Sequence, residues 1–205
     1  MTRSVFKAAL AASIGAAALS ACVNVLPEPP KPDAVYRFNA PTSTYSMPAT
    51  LIVREPDAPR LIAGRQLVSE GTNAGLRVVR GVEWVDRVTR LFQVTLVDSF
   101  DSTGGGYAVD DTSGISGDYE LYWRVTDFTL KGSEAVCALR LTLMTGGTRM
   151  PVAQWTTQVS GDASAGKKSG ARTLALAETG EACVSEAARS IAAEVEKAEA
   201  AEDAD

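Results

Sequence analysis

Apolar residues along this chain recur in three patterns, and each predicts a different kind of element. The first is a continuous run from Ala8 to Leu19, uncharged and preceded by Arg3 and Lys7. A basic start before a short apolar stretch has the form of a secretory signal. The run falls short of the roughly 20 apolar residues a membrane-crossing helix requires, so it reads as a targeting segment that is removed.

The second pattern has a period of two and predicts strands. Leu121, Trp123 and Val125 share one face of Tyr119 to Leu130. In Val136 to Met144, the set Cys137, Leu139, Leu141 and Leu143 alternates with Ala138, Arg140 and Thr142. From Pro151 to Val159, the residues Ala153, Trp155 and Val159 share a face with Thr157. Each strand has one apolar and one mixed face, which predicts antiparallel pairing with a cover on one side only. Shorter candidates precede them at Tyr36-Arg37-Phe38, Leu51 to Arg54, Gly64 to Val68 and Leu76 to Val79, punctuated by Pro56, Pro59 and the Gly71 to Gly75 turn.

The third pattern has a spacing of three or four and predicts two helices. One starts near Trp84, with Val85, Val88, Leu91, Phe92, Leu96 and Phe100 on its apolar side; Asp86 sits near its start and Gly104-Gly105-Gly106 ends it. The other covers Ala171 to about Glu199, with Leu174, Val184, Ala187, Ala188, Ile191 and Val195 in phase and Gly180 as a kink or break. The fold class that follows is α/β (α+β): a mostly antiparallel sheet with two main helices packed on one face.

Organisation follows from composition. Residues 1–21 form the signal peptide. Residues 22–40 contain Leu-Pro-Glu-Pro-Pro-Lys-Pro and predict an extended, semi-rigid tether. Residues 41–198 form one domain, and 199–205 an acidic tail. Removing 21 of 205 residues leaves 184, a length suited to a single core. Loss of Arg3 and Lys7 takes the formal charge from −5 to −7, which gives nucleic acid nothing to bind.

Leu19-Ser20-Ala21-Cys22 has the aliphatic, small, small, cysteine order of a bacterial lipobox. Cys22 is thus the expected lipidation site, with the thiol alkylated by diacylglycerol and the new amine acylated. Several acyl chains anchor a protein stably, since each buried methylene contributes about 0.8 kcal/mol. Val23 follows in place of the aspartate that retains lipoproteins at the inner membrane, so the expected location is the periplasmic face of the outer membrane. Two cysteines remain, Cys137 and Cys183, in a compartment where disulfides persist. If the last helix packs on the sheet, Cys183 approaches the face bearing Cys137. Both readings, a disulfide and two buried free thiols, stay open.

The chain contains no histidine, which removes the commonest general base and the commonest metal ligand. Gly161 to Lys168 approaches a phosphate-binding loop, but Lys168 stands where the pattern needs Ser or Thr, and the preceding strand belongs to an antiparallel run. Asp110-Asp111 and Asp98 with Asp101 lack the spacing of a calcium cage. No catalytic, metal or cofactor residue is expected. Trp84, Trp123 and Trp155 read as core anchors, since each falls on the inward side of an apolar pattern.

The order of motifs carries a resemblance. A lipobox and Pro-rich tether lead to Tyr36-Arg37-Phe38, then to Leu51-Ile52-Val53 and the prolines Pro56 and Pro59. Val82-Glu83-Trp84-Val85-Asp86-Arg87-Val88 runs into the helix, and Asp118-Tyr119-Glu120-Leu121 ends in Val125-Thr126-Asp127-Phe128. Together these resemble the ABC-type transport auxiliary lipoprotein family, which includes the paraquat-inducible C component. The resemblance implies a small α/β domain without a catalytic centre, working beside an ABC permease, an ATPase and a periplasmic MCE-domain protein that move lipid between membranes. It also leaves a homo-oligomer open.

Three functions follow for comparison. A docking subunit predicts a filled core and an exposed patch. A lipid-binding carrier predicts a deep apolar cavity of several hundred Å³. An acid-only hydrolase predicts two carboxylates facing across a cleft, and the sequence offers no obvious pair.

Overall fold

The computed structural model describes residues 31–164 and 169–202. Eight strands form one sheet: β1 Ala34–Tyr36, β2 Leu51–Val53, β3 Gln66–Glu70, β4 Leu76–Trp84, β5 Ala108–Asp110, β6 Tyr119–Lys131, β7 Glu134–Thr145 and β8 Pro151–Asp162. A one-turn helix α1 (Arg60–Ala63) precedes β3, α2 (Val88–Asp98) follows β4, and α3 (Ser169–Glu202) follows β8.

The alternation read from the C-terminal half forms an antiparallel meander. β6 pairs with β7 from Tyr119↔Thr145 to Lys131↔Glu134, and β7 pairs with β8 in turn. Leu121, Trp123, Val125, Leu139, Leu141 and Leu143 are buried on one face, while Arg124, Thr126 and Arg140 are exposed on the other. The N-terminal half makes the sheet mixed. β2 lies parallel to β6 at Tyr119–Leu121, and β3 lies parallel to β6 at Leu130 and Lys131. β5 extends the first branch beside β2; β4, antiparallel to β3, and then β1 extend the second. Strands of three residues hold too few side chains to reveal their direction in sequence.

Both long helices cover the apolar face. α2 buries Val88, Phe92 and Leu96, and α3 buries Leu176, Cys183, Val184, Ala187, Ile191 and Val195. Between helices and sheet sits an aromatic cluster of Phe38, Trp84, Phe92 and Phe128. Phe38 meets the other three edge-on at 5.2–5.8 Å, and Trp84 stacks on Phe128 at 5.4 Å. Such pairs contribute about 0.5–1.5 kcal/mol each beyond the area they bury.

Several expectations are corrected. Trp84 does not open a helix: it closes β4. Its N–H donates to the Arg65 carbonyl, and the Val85 N–H donates to Tyr36, so sheet pairing holds the backbone until Asp86 turns it. Val85 is consequently half exposed. The Gly104 to Gly106 triplet lies beyond the helix, which ends at Asp98; a β-carbon at Gly106 would collide with the Ala49 backbone, so glycine permits a close chain crossing there. Gly180 neither kinks nor breaks α3, which is continuous for 34 residues, about 51 Å at 1.5 Å per residue. It provides room for a ring, since a β-carbon there would lie 2.7 Å from Phe38 Cζ. Leu174 points away from the core and is 48% exposed.

The ordered fold begins before residue 41: β1 pairs with Val82–Trp84, and Phe38 enters the core, both within the stretch assigned to the tether. At the other end, α3 runs past Glu199, and the Glu199 carboxylate accepts a 2.7 Å hydrogen bond from the Tyr119 hydroxyl. Burial, and then that carboxylate, push the Tyr119 phenol well above its ordinary value.

Candidate docking surface

The helices leave the second face of the β6–β8 meander uncovered, and its chemistry comes from the alternate positions of three adjacent strands. β6 presents Glu120, Tyr122, Arg124 and Thr126; β7 presents Ala138, Arg140 and Thr142; β8 presents Gln154, Thr156 and Gln158. The Arg54 guanidinium donates twice to Glu120 Oε2, at 2.8 and 3.1 Å, and lies 4.6 Å over the Tyr122 ring. The Tyr122 hydroxyl donates to the same carboxylate at 3.0 Å. The Arg54 bond, assisted by Tyr122, holds Glu120 below the usual carboxylate range against the opposing effect of burial.

Further along the face, Arg124 and Arg140 stand directly opposite each other on β6 and β7. Like charges so placed destabilise a sheet. Arg124 is relieved in part by the exposed carboxylate of Asp57 at 3.2 Å. The Arg140 guanidinium forms no hydrogen bond or ion pair among the described residues. In a chain of net charge −5, this leaves a cationic centre in the middle of an open sheet face.

The residues singled out from sequence fall elsewhere. Cys22 lies outside the described residues, as do the signal peptide and Ala165 to Lys168 of the glycine-rich loop. Cys137 on β7 and Cys183 on α3 are fully buried on the helix side, with Cα atoms 6.3 Å apart and their sulfurs facing each other. Trp84 and Trp123 are core residues, the latter donating its indole N–H to the Arg54 carbonyl at 2.7 Å. Trp155 is partly buried under β8, and its Nε1 has no hydrogen-bond partner among the described residues.

The acidic pairs do not converge. Asp110 accepts from Thr112 and Arg90, which keep it below the ordinary carboxylate range, while Asp111 accepts from Gln93. Asp101 ties Thr103 to Thr44. Among the described residues no three metal-binding side chains gather, and no helix is long and apolar enough to cross a membrane.

Three concavities among the described residues bear on ligand binding. One of about 320 Å³ separates the Asn39–Thr42 segment from Glu178 and Ser185 of α3, bridged by Asn39 donating to Glu181 at 2.8 Å. A second, of about 360 Å³, lies against Val85, Leu91 and Val94. A third, of about 500 Å³, sits where Asp118 and Thr148 face Glu199 and Glu202. The cationic sheet centre was missed in the sequence because alternation shows which residues face out; which arginine finds a partner depends on distant Asp57 and Glu120.

A mixed sheet backed on one face by two helices, with its polar groups spread over the other face, defines an α/β domain built around surfaces. The ABC-type transport auxiliary lipoprotein component family matches residues 36–192, and the chain belongs to that family. Its fold is similar to a crystal structure of a Xanthomonas campestris protein of the DUF330 family, at TM-score 0.74 and 19% identity, covering 81% of this chain and 98% of that one. A second crystal structure, of an uncharacterized protein, matches at TM-score 0.62 and 16% identity over 78% of this chain and 99% of the other. No curated protein matches.

Proposed function

We propose that this auxiliary component is a docking subunit of an MCE-associated lipid transport system. In this reading it is anchored through acylated Cys22 on the periplasmic face of the outer membrane and engages an MCE-domain protein served by an ABC permease and ATPase. It catalyses no reaction and takes no cofactor. Family membership supplies the transport context. The observation that favours docking over lipid carriage is the filled interior. Phe38, Trp84, Phe92 and Phe128 occupy the space between sheet and helices where a carrier would hold an acyl chain, while a broad polar sheet face stays open. Close-packed interiors admit no ligand without displacing side chains.

The test is to tag the C-terminus, crosslink intact cells, purify from the envelope and identify co-purifying proteins, with Cys22→Ala as control. Recovery of an MCE-domain protein and its permease, weakened by Cys22→Ala, is the expected result. Their absence at good yield of the lipoprotein would remove the docking reading, and extraction of bound lipid from the purified domain would then test the carrier.

A further inference from the structure

The outermost strands of the sheet are β1, β5 and β8, and they are not alike. β1 and β5 are three residues long, and short edge strands protect themselves. β8 has twelve residues and, among the described residues, pairs only with β7. Natural edges of that length usually carry lysine, proline or a mid-strand bulge as a block against further pairing. From Val152 to Gly161 there is no charge and no proline, and the register shift sits at the strand's start, opposite Leu143 and Met144.

The direction of the free backbone groups follows from the ladder. The Leu121 and Trp123 carbonyls and the Val125 N–H bond residues 54 and 57, away from β7. Their neighbours Glu120, Tyr122 and Arg124 therefore turn toward β7, where they face Met144, Thr142 and Arg140. Leu139 and Leu141 must then turn toward β8 and its residues Thr157 and Trp155. The outward backbone groups of β8 are those of Gln154, Thr156, Gln158 and Ser160, and no hydrogen bond reaches them among the described residues. These four also carry their side chains on the open face.

We propose that β8 accepts an extended, acidic segment of the protein partner as a ninth strand, with Arg140 selecting its carboxylates. This rests on the docking reading above. Strands lie about 4.8 Å apart, so an added strand runs roughly 10 Å from β7. An arginine and a glutamate extended toward each other over the uncharged Thr156 and Gln158 bridge that gap. Main-chain bonds along β8 provide affinity and Arg140 provides selection.

The experiment uses the full-length lipoprotein in cells, with the photocrosslinker p-benzoylphenylalanine at Gln154 or, as control, at Glu186 on α3. The edge is blocked by Thr156→Pro, which removes an outward N–H and no ladder bond; Gln158→Pro is the alternative should that variant not fold. Thr157→Pro, which breaks the bond to Leu139, marks the unfolded outcome. Arg140→Glu tests selection without touching the backbone.

The expected result is a crosslink from position 154, not 186, to an acidic stretch of a transporter component, lowered at least tenfold by the edge proline and by Arg140→Glu. A crosslink that survives the folded proline variant, or that maps to a basic stretch or to a second copy of this chain, would overturn the proposal. If the unmodified chain recovers the transporter and both substitutions leave that recovery intact, the edge assignment fails alone. If it recovers no transporter component, the docking reading fails with it.

Discussion

Replacing Gly180 with alanine sets two opposing effects against each other at one atom. Glycine in a helix interior costs about 1 kcal/mol relative to alanine, so propensity alone makes the change stabilising. The new methyl, however, would lie 2.7 Å from Phe38 Cζ, 3.0 Å from Phe128 Cε2 and 3.1 Å from Phe38 Cε1. Neither ring can step aside, because Phe38 is edge-on to Trp84 and Phe92, and Phe128 is stacked on Trp84 and edge-on to Phe92. Overpacking of this kind costs about 1–3 kcal/mol. The net expectation is a loss of up to about 2 kcal/mol, which for a domain of this size lowers Tm by up to roughly 8 °C. Urea unfolding followed by tryptophan fluorescence measures it directly. In a Phe38→Leu background the two Phe38 contacts are gone and only the 3.0 Å approach to Phe128 Cε2 remains, so the same Gly180→Ala should cost less than in the unmodified chain, a coupling that a double-mutant cycle isolates. A gain in stability in the unmodified background would refute the reasoning.

Other predictions follow the same logic. Envelope-purified protein should resist thiol alkylation at Cys137 and Cys183 until it is both unfolded and reduced. Replacing both with alanine should cost up to about 4 kcal/mol on a loop-entropy model for a 46-residue separation; ready alkylation of the unfolded, unreduced chain would show free thiols. Tyr119 has a raised folded pKa, so its contribution is complete below its unfolded value near 10 and is lost as pH climbs above it. Tyr119→Phe should cost about 0.5–1.5 kcal/mol near neutrality and flatten the alkaline fall in a Tm-against-pH series. Glu120 has a depressed pKa, so its contribution is present above the ordinary glutamate value of 4.5 and is lost as pH falls further. Glu120→Gln should remove that acidic slope at a cost of roughly 0.2–1 kcal/mol at neutral pH, and an unchanged slope would assign the titration elsewhere.

The meander was legible because β6, β7 and β8 are long enough for alternation to repeat, and because each buries one face. Both long helices were legible from three-four spacing, yet their starts and breaks were not. Trp84 fits the helical phase as well as the strand phase; pairing of β4 with β1, 48 residues earlier in the chain at Val82↔Ala34 and Glu83↔Val35, decided for strand. Gly180 looked like a helix breaker because a glycine's meaning depends on what packs against it, and Phe38 arrives from the other end of the chain.

The sequence by itself determined the local and additive features: the Leu19-Ser20-Ala21-Cys22 order ahead of a proline-rich stretch, the lack of histidine, and the apolar stripes that assign each long element its inner face. Tertiary structure alone decided the parallel pairings of β1, β2, β3 and β5, the position of Cys183 over Cys137, and the isolation of Arg140 beside a paired Arg124. Periodicity records which side of an element is buried, a property of neighbouring residues. Pairing partners and unmatched charges arise between segments far apart in sequence, and they become defined only when the chain closes into its fold.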